Sequence, residues 1–197
     1  MADLFLRNLM TLCLVISCPW IGLSQPESLK FEHLTVEHGL SSNEVLTIKQ
    51  DRDGFMWFGT FSGLNKYDGY TFTIFRPDPK NPYYSLKDDH IFDIHEDRTG
   101  RLWVGAYGLY LLDKRTGKVI PYLADSTPFT YLNVSLTIYE DKNGALWISA
   151  GGGLNRFDPV TKQFTSYRSP ELVPNFGIVQ DDNGTFWMGS HSGLYQF

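Results

Sequence analysis

Asp51-Arg52-Asp53-Gly54-Phe55-Met56-Trp57-Phe58-Gly59 is the stretch that decides the fold, because it recurs in register three more times. The copies run from Asp97 to Gly105 (with Gly100 and Trp103), from Asp141 to Ser149 (with Gly144 and Trp147), and from Asp181 to Gly189 (with Gly184 and Trp187). Each is followed by a second glycine and a leucine: Gly63-Leu64, Gly108-Leu109, Gly153-Leu154 and Gly193-Leu194. The tryptophans stand 46, 44 and 40 residues apart. A period of that length, with several short strands per unit, is the signature of propeller blades.

Each unit reads outward from its turn aspartate. An Ile lies three residues before it (Ile48, Ile94, Ile138, Ile178), and an apolar residue two further back (Leu46, Phe92, Leu136, Phe176). A spacing of two puts both on one face of a strand, strand A. Asp-x-x-Gly is then a hairpin turn, its Asp bonding the local backbone and its Gly taking positive φ. Strand B carries the Trp as a packing residue. A second Gly turn leads to strand C, and a polar turn (Asp68-Gly69, Thr116-Gly117, Asp158-Pro159) to strand D, around Phe72-Phe75, Val119-Tyr122 and Phe164-Tyr167. The expectation is an all-β fold: a β-propeller with four recognisable four-stranded antiparallel blades, about 43–75, 89–122, 133–167 and 173–197. The fourth unit reaches Phe197 inside strand C.

Composition agrees with this. Aromatic residues are 15%, charged residues only 20%, and Gly is frequent at 18, which suits short strands and tight turns rather than a coiled coil or a disordered tail. A net charge of −5 with no basic run excludes a nucleic-acid backbone as partner. Residues 1–24 read as a secretory signal: Arg7, then the apolar Leu9–Ile16, then a small-residue exit near Gly22 and Ser24. The apolar stretch is shorter than the roughly 20 residues a membrane-spanning helix needs. Val15-Ile16-Ser17-Cys18 also has the form of a lipobox, which would place a lipid on Cys18. Both cysteines, Cys13 and Cys18, lie in this segment, so the expected mature chain has no disulfide or thiolate chemistry.

The pattern from Asn43 to Asp68, Asn-x-Val-x-x-Ile-x-x-Asp-x-x-Gly-x-x-Trp-x-Gly-Thr-x-x-Gly-Leu-Asn-x-Tyr-Asp, resembles the two-component regulator propeller repeat. The opening from Phe31 to Ser41 resembles the start of that family's sensor region, and the likeness runs over about residues 29–197. The resemblance implies the periplasmic part of a Bacteroidetes hybrid two-component sensor, with a β-sandwich, membrane span, kinase and response regulator further on. It implies an open portion of a ring of about seven blades, within the range propellers use. It also implies, as partners, the remaining blades and kinase domains of a parent sensor, and a homodimer in that parent. Ser149 departs from the pattern, standing where the other units have Gly.

Function is expected at one end of the blades. The Asp-x-x-Gly turns occupy the repetitive end, and resemble the structural Asp-box of glycosidase propellers. The links and B–C turns at the other end vary, and variation among regular repeats is where binding specificity resides. Tyr83, Tyr84, Tyr107, Tyr131 and His191 lie in those loops, and Asn43, Asp89 and Asn133 enter strand A. Flat aromatic faces beside Asn and Asp acceptors suit an oligosaccharide, or another small ligand. No metal or cofactor is expected: the residue twelve positions along from Asp51 is Ser62, where a calcium loop needs Glu. Nor do the residues assemble a catalytic set, so the expected function is ligand sensing without a kinase output of its own. A free-standing exported binding propeller, in which Phe31–Val36 completes the fourth blade, and a propeller glycosidase or lyase are the alternatives.

Overall fold

The computed structural model describes residues 29–81, 85–122, 135–150, 153–168, 177–190 and 192–197. The signal segment and Cys18 lie outside these residues, as do Tyr83, Tyr84, Tyr131, Asn133 and His191. Two compact units are distinguished, 1–33 and 34–197, and the blades belong to the second.

Among the described residues, fifteen strands form four antiparallel sheets, each in sequence order. Blade 1 is β1 (Val45–Gln50), β2 (Met56–Thr60), β3 (Gly63–Tyr67) and β4 (Phe72–Phe75). Blade 2 is β5 (Asp93–Glu96), β6 (Leu102–Ala106), β7 (Gly108–Leu112) and β8 (Val119–Tyr122). Blade 3 is β9 (Ser135–Glu140), β10 (Leu146–Ala150), β11 (Gly153–Asp158) and β12 (Gln163–Arg168). Blade 4 has three strands, β13 (Gly177–Gln180), β14 (Phe186–Ser190) and β15 (Gly193–Gln196). The expected propeller is therefore present, with its fourth sheet one strand narrower than the other three.

The segment 29–35, expected as the outer strand of the fourth blade in a free-standing ring, forms no strand. Local hydrogen bonds hold its end in another conformation: the Thr35 hydroxyl accepts from Glu37 N, His38 Nδ1 accepts from Thr35 N, and Val36–His38 closes as a 3-10 turn. Such side-chain bonds to nearby backbone compete with a strand ladder.

Register carries the sequence period into packing. In blade 1 Trp57 pairs with Lys49 and Lys66, while Ile48 pairs with Phe58 and lies on the other face. Trp57 and Leu64 therefore face forward and pack with Ile91, Ile94, Val104 and Tyr110 of blade 2 and its link. Trp103 and Leu109 repeat this against Ile138, Leu146, Ile148 and Phe157 of blade 3. Trp147 and Leu154 repeat it against Ile178, Phe186 and Met188 of blade 4. The core is thus three successive blade-to-blade seams. Burying side chains of this size contributes roughly 1.5–3 kcal/mol each.

Candidate functional site

The repetitive end is built by one motif. The Asp51 Oδ1 atom accepts from Asp53 N and Phe55 N, both at 3.0 Å, which holds the hairpin turn. Its Oδ2 accepts from Trp57 Nε1 at 2.9 Å. Asp97–Trp103, Asp141–Trp147 and Asp181–Trp187 repeat the indole bond at 2.8, 2.9 and 3.0 Å. The turn glycines Gly54, Gly100, Gly144 and Gly184 have φ of 89, 90, 87 and 92°, where a side chain would be strained. Burial works to raise the Asp97 pKa, but Thr99, Trp103 and Arg101 outweigh it and hold the carboxyl at about 2. Asp51 is lowered likewise, with Trp57, the Phe55 N–H and Lys114 prevailing over burial.

Between blades, the residue after each turn aspartate reaches forward. Arg52 Nη2 donates to Asp97 O at 2.9 Å, and its N–H donates to Glu96 Oε2 at 2.8 Å. Arg98 Nε donates to Glu140 Oε1 at 2.6 Å and Nη1 to Lys142 O at 3.0 Å. Lys142 Nζ donates to Asp181 O at 3.0 Å and Asp182 O at 3.2 Å. Lys114 adds a brace found at one seam, its Nζ 2.6 Å from Asp53, 2.9 Å from Glu96 and 3.4 Å from Asp51. Burial works to lower the Lys114 pKa, but the three carboxylates raise it above the usual lysine range. These contacts use the end's charged groups on each other. This is a scaffold.

The innermost strands carry a second polar thread. The carboxylate of Asp93 in blade 2 accepts from Thr47 Oγ1 of blade 1 at 3.3 Å and from Ile138 N of blade 3 at 2.6 Å. Burial raises its pKa. His95, two residues on, is also largely buried, and lies 3.5 Å from Glu140. Burial, then the Lys49 charge, lowers its pKa.

The opposite end gathers a ring cluster. Leu86 and Ile91 are buried in the seam between blades 1 and 2, which fixes the link that joins them. That anchoring sets His90 at the rim, its ring 5.2 Å from Phe61 in the B–C turn of blade 1. Tyr107, the single residue between β6 and β7, lies 5.9 Å from both His90 and Phe92. His90 Nδ1 is 2.6 Å from Asp88 Oδ1, which fixes the imidazole plane. Asp89 accepts from Gly63 N through its main-chain oxygen at 2.8 Å, while its Oδ1 is buried and has no hydrogen-bond partner among the described residues. Asp88 and four rings therefore converge at one seam, with the Asp89 main chain bonded to the B–C turn of blade 1. Among the described residues, no group of His, Cys, Asp or Glu is placed to hold a metal ion.

Of the sequence candidates, the structure brings Tyr107 and Asp89 to this cluster. Asn43 is elsewhere engaged, its Oδ1 accepting from Val36 N at 3.0 Å. Phe61, Asp88, His90 and Phe92 complete the cluster and were not among the sequence candidates. The signal for Phe61 was its position in the B–C turn of blade 1, the counterpart of the blade 2 turn that holds Tyr107.

Repeated Asp–Trp clamps on four consecutive antiparallel sheets, with forward-reaching cations between them, define a β-propeller arc. Three stretches, 39–62, 85–108 and 129–152, match the two component regulator propeller, and the chain carries that repeat. A 58-residue stretch, 29% of this chain, is 43% identical to Histidine kinase P4 of Formosa agariphila and spans 4% of that protein. Among solved structures, the extracellular domain of a protein assigned as a hybrid two component system in B. thetaiotaomicron is 26% identical. It matches with a TM-score of 0.57 over 84% of this chain and 30% of its own. Another extracellular domain from B. thetaiotaomicron, assigned to a one component system, matches with a TM-score of 0.68 at 23% identity. That match covers 88% of this chain and 22% of its own. The chain thus spans under a third of the length of these relatives. It is similar in fold to part of these extracellular domains.

Proposed function

We propose that this chain is the ligand-sensing propeller portion of a hybrid two-component signalling protein, and that it holds an oligosaccharide at the Phe61–His90–Phe92–Tyr107 cluster. The observation that carries the reading is the meeting of four rings with the Asp88 carboxylate at the variable end of one seam. Sugar C–H faces stack on aromatic rings, and hydroxyls donate to carboxylates, so a ring cluster edged by acceptors suits a neutral glycan. In this reading the region lies outside the cytoplasm, after removal of residues 1–24 or lipidation at Cys18, and the similarity to extracellular domains supports it. Residues 29–197 form the propeller in this reading, and occupancy passes to a kinase carried by the longer protein.

The test is a thermal-shift screen of the full chain against neutral plant and host oligosaccharides. One glycan class should raise the melting temperature, and Phe61→Ala and Tyr107→Ala should each remove that rise while the unliganded chain still melts cooperatively. A cooperative melt that no glycan moves would sink the reading.

A further inference from the structure

The ring cluster at the first seam has a fixed hydrogen-bonding polarity, set by the pairing of Asp88 with His90. Asp88 Oδ1 accepts from His90 N at 2.8 Å and lies 2.6 Å from His90 Nδ1. A carboxylate oxygen only accepts, so the short contact puts a proton on Nδ1. In the neutral imidazole the other nitrogen, Nε2, is then a bare acceptor. It has no hydrogen-bond partner among the described residues, and the His90 side chain is 41% exposed. Asp88 Oδ2 likewise has no partner among the described residues, on a side chain that is 33% exposed.

These two acceptors are held in place before any ligand arrives. Both bonds between Asp88 and His90 span only two residues, and the buried Leu86 and Ile91 pin the link on either side of them. The exposed ring of Phe61 stands next to His90, and Tyr107 meets the imidazole at 77°. The pair therefore presents acceptors, and one negative charge, at the edge of an apolar surface.

Such an arrangement selects by sign as well as by shape. A sugar hydroxyl donates to either acceptor. The oxygens of a uronate or a sulfate ester have no proton to give, and they meet the Asp88 charge. Facing acceptor against acceptor, and anion against anion, is the repulsive element by which a site rejects a near analogue. The chain's net charge of −5 acts in the same direction at longer range.

Resting on the reading of the cluster as an oligosaccharide site, we propose that Asp88 and His90 are its specificity-determining pair. They take hydrogen bonds from ligand hydroxyls and confine the site to neutral glycans, against those that carry uronates or sulfates. Asp88→Asn isolates the charge: its amide oxygen can still accept both bonds from His90, while a donor replaces Oδ2. His90→Phe isolates the acceptor, keeping a ring beside Phe61 and Phe92.

Two measurements on the full chain test this. Nitrogen NMR of the histidine side chains should find His90 protonated at Nδ1 and bare at Nε2, in the wild type and in Asp88→Asn alike. Titration calorimetry then compares cellohexaose, xylohexaose and mannohexaose with hexagalacturonate. The wild type should bind a neutral probe and bind hexagalacturonate at least about tenfold more weakly, the scale of one hydrogen bond to a charged group. His90→Phe should lose about tenfold in affinity for the neutral probe, and Asp88→Asn should narrow the gap between neutral and acidic probes. Should His90→Phe fail to melt cooperatively, Asp88→Asn carries the comparison. A proton on Nε2, equal binding of hexagalacturonate, or an undiminished gap in Asp88→Asn would overturn the proposal. Neutral binding that a folded His90→Phe leaves unchanged would do the same, while leaving the oligosaccharide site itself standing. Binding of none of the four probes would remove that site, and the selectivity with it.

Discussion

Lys114 Nζ of blade 2 lies 2.6 Å from Asp53 Oδ2 of blade 1, although 61 residues separate them in sequence. The same ammonium meets Glu96 and Asp51, whose side chains are almost fully shielded from water. One cation thus neutralises three carboxylates at the first seam. In blade 3 the matching turn has Pro159, which has no charge to offer. Removing the Lys114 charge leaves the buried Asp51 and Glu96 less compensated. Lys114→Met should cost about 2–3 kcal/mol, more than an exposed ion pair would. Urea titration of the two proteins measures it, and a change below about 0.5 kcal/mol would return this cluster to the class of surface pairs.

Acid should unfold the propeller through its turns. Asp97 is held at about 2 in the folded chain, against an ordinary value of 3.8. A carboxyl whose folded pKa is depressed contributes stability that is complete above its unfolded pKa and is lost as pH falls through the folded one. For Asp97 that amounts to about 2 kcal/mol, disappearing between about pH 4 and pH 2. Asp51 and Asp181 shift in the same direction. Asp93 has the opposite sign: its raised pKa favours the protonated folded form and opposes the loss. Melting temperature followed from pH 6 downward should fall most steeply below pH 4, and Asp97→Asn should flatten that fall.

Trp103→Phe separates the indole's two roles. Phenylalanine keeps much of the apolar fill against Phe157 but leaves Asp97 without its Nε1 donor. Loss of a buried hydrogen bond to a charged group costs about 1.5–3 kcal/mol, so a melting point roughly 3–12 °C lower is expected, at about 2–4 °C per kcal/mol for a chain of this size. An unchanged melting point would mean that the indole serves only as bulk.

Gly59 marks a close approach of blades 1 and 2. A Cβ there would lie 2.5 Å from Thr47 Cγ2 and 2.7 Å from Ile91 Cγ2. Gly59→Ala should therefore destabilise by about 1–3 kcal/mol, as overpacking does. Gly189, the matching position of blade 4, has no atom of the described residues within 4 Å of such a Cβ, and Gly189→Ala should be nearly neutral. Ser149 occupies the same position in blade 3 and is fully buried, so this position accepts a side chain where the neighbouring blade allows one. Calorimetry of the two alanine variants compares them directly.

The strands and their order could be read from the chain because each blade repeats the same local instructions. Ile at three before the turn, Gly at its fourth residue and Trp at its seventh are enough to set face, turn and register. The Asp–Trp bond was missed, since periodicity marks Trp103 as large and buried without saying where its N–H goes. The exposure of Ile48 was also hidden: its spacing is that of Ile94, and only the absence of a preceding blade among the described residues distinguishes them. The candidate site was legible in part. Tyr107 and Asp89 stand out by position, whereas Phe61, His90 and Phe92 come together through the anchoring of Leu86 and Ile91, a tertiary fact. Asn43 looked equivalent to Asp89, but the turn at Val36–His38 takes its side chain.

The bond from Trp57 to Asp51 is closed within six residues of one hairpin, although Lys114 of blade 2 also meets that carboxylate. A gene segment that encodes one hairpin therefore carries the whole instruction with it. Such a segment can be copied or lost in multiples of a blade without breaking the motif, and divergence is left to the links and B–C turns. Ancestral duplication would then preserve the scaffold automatically while each new copy explored a different rim.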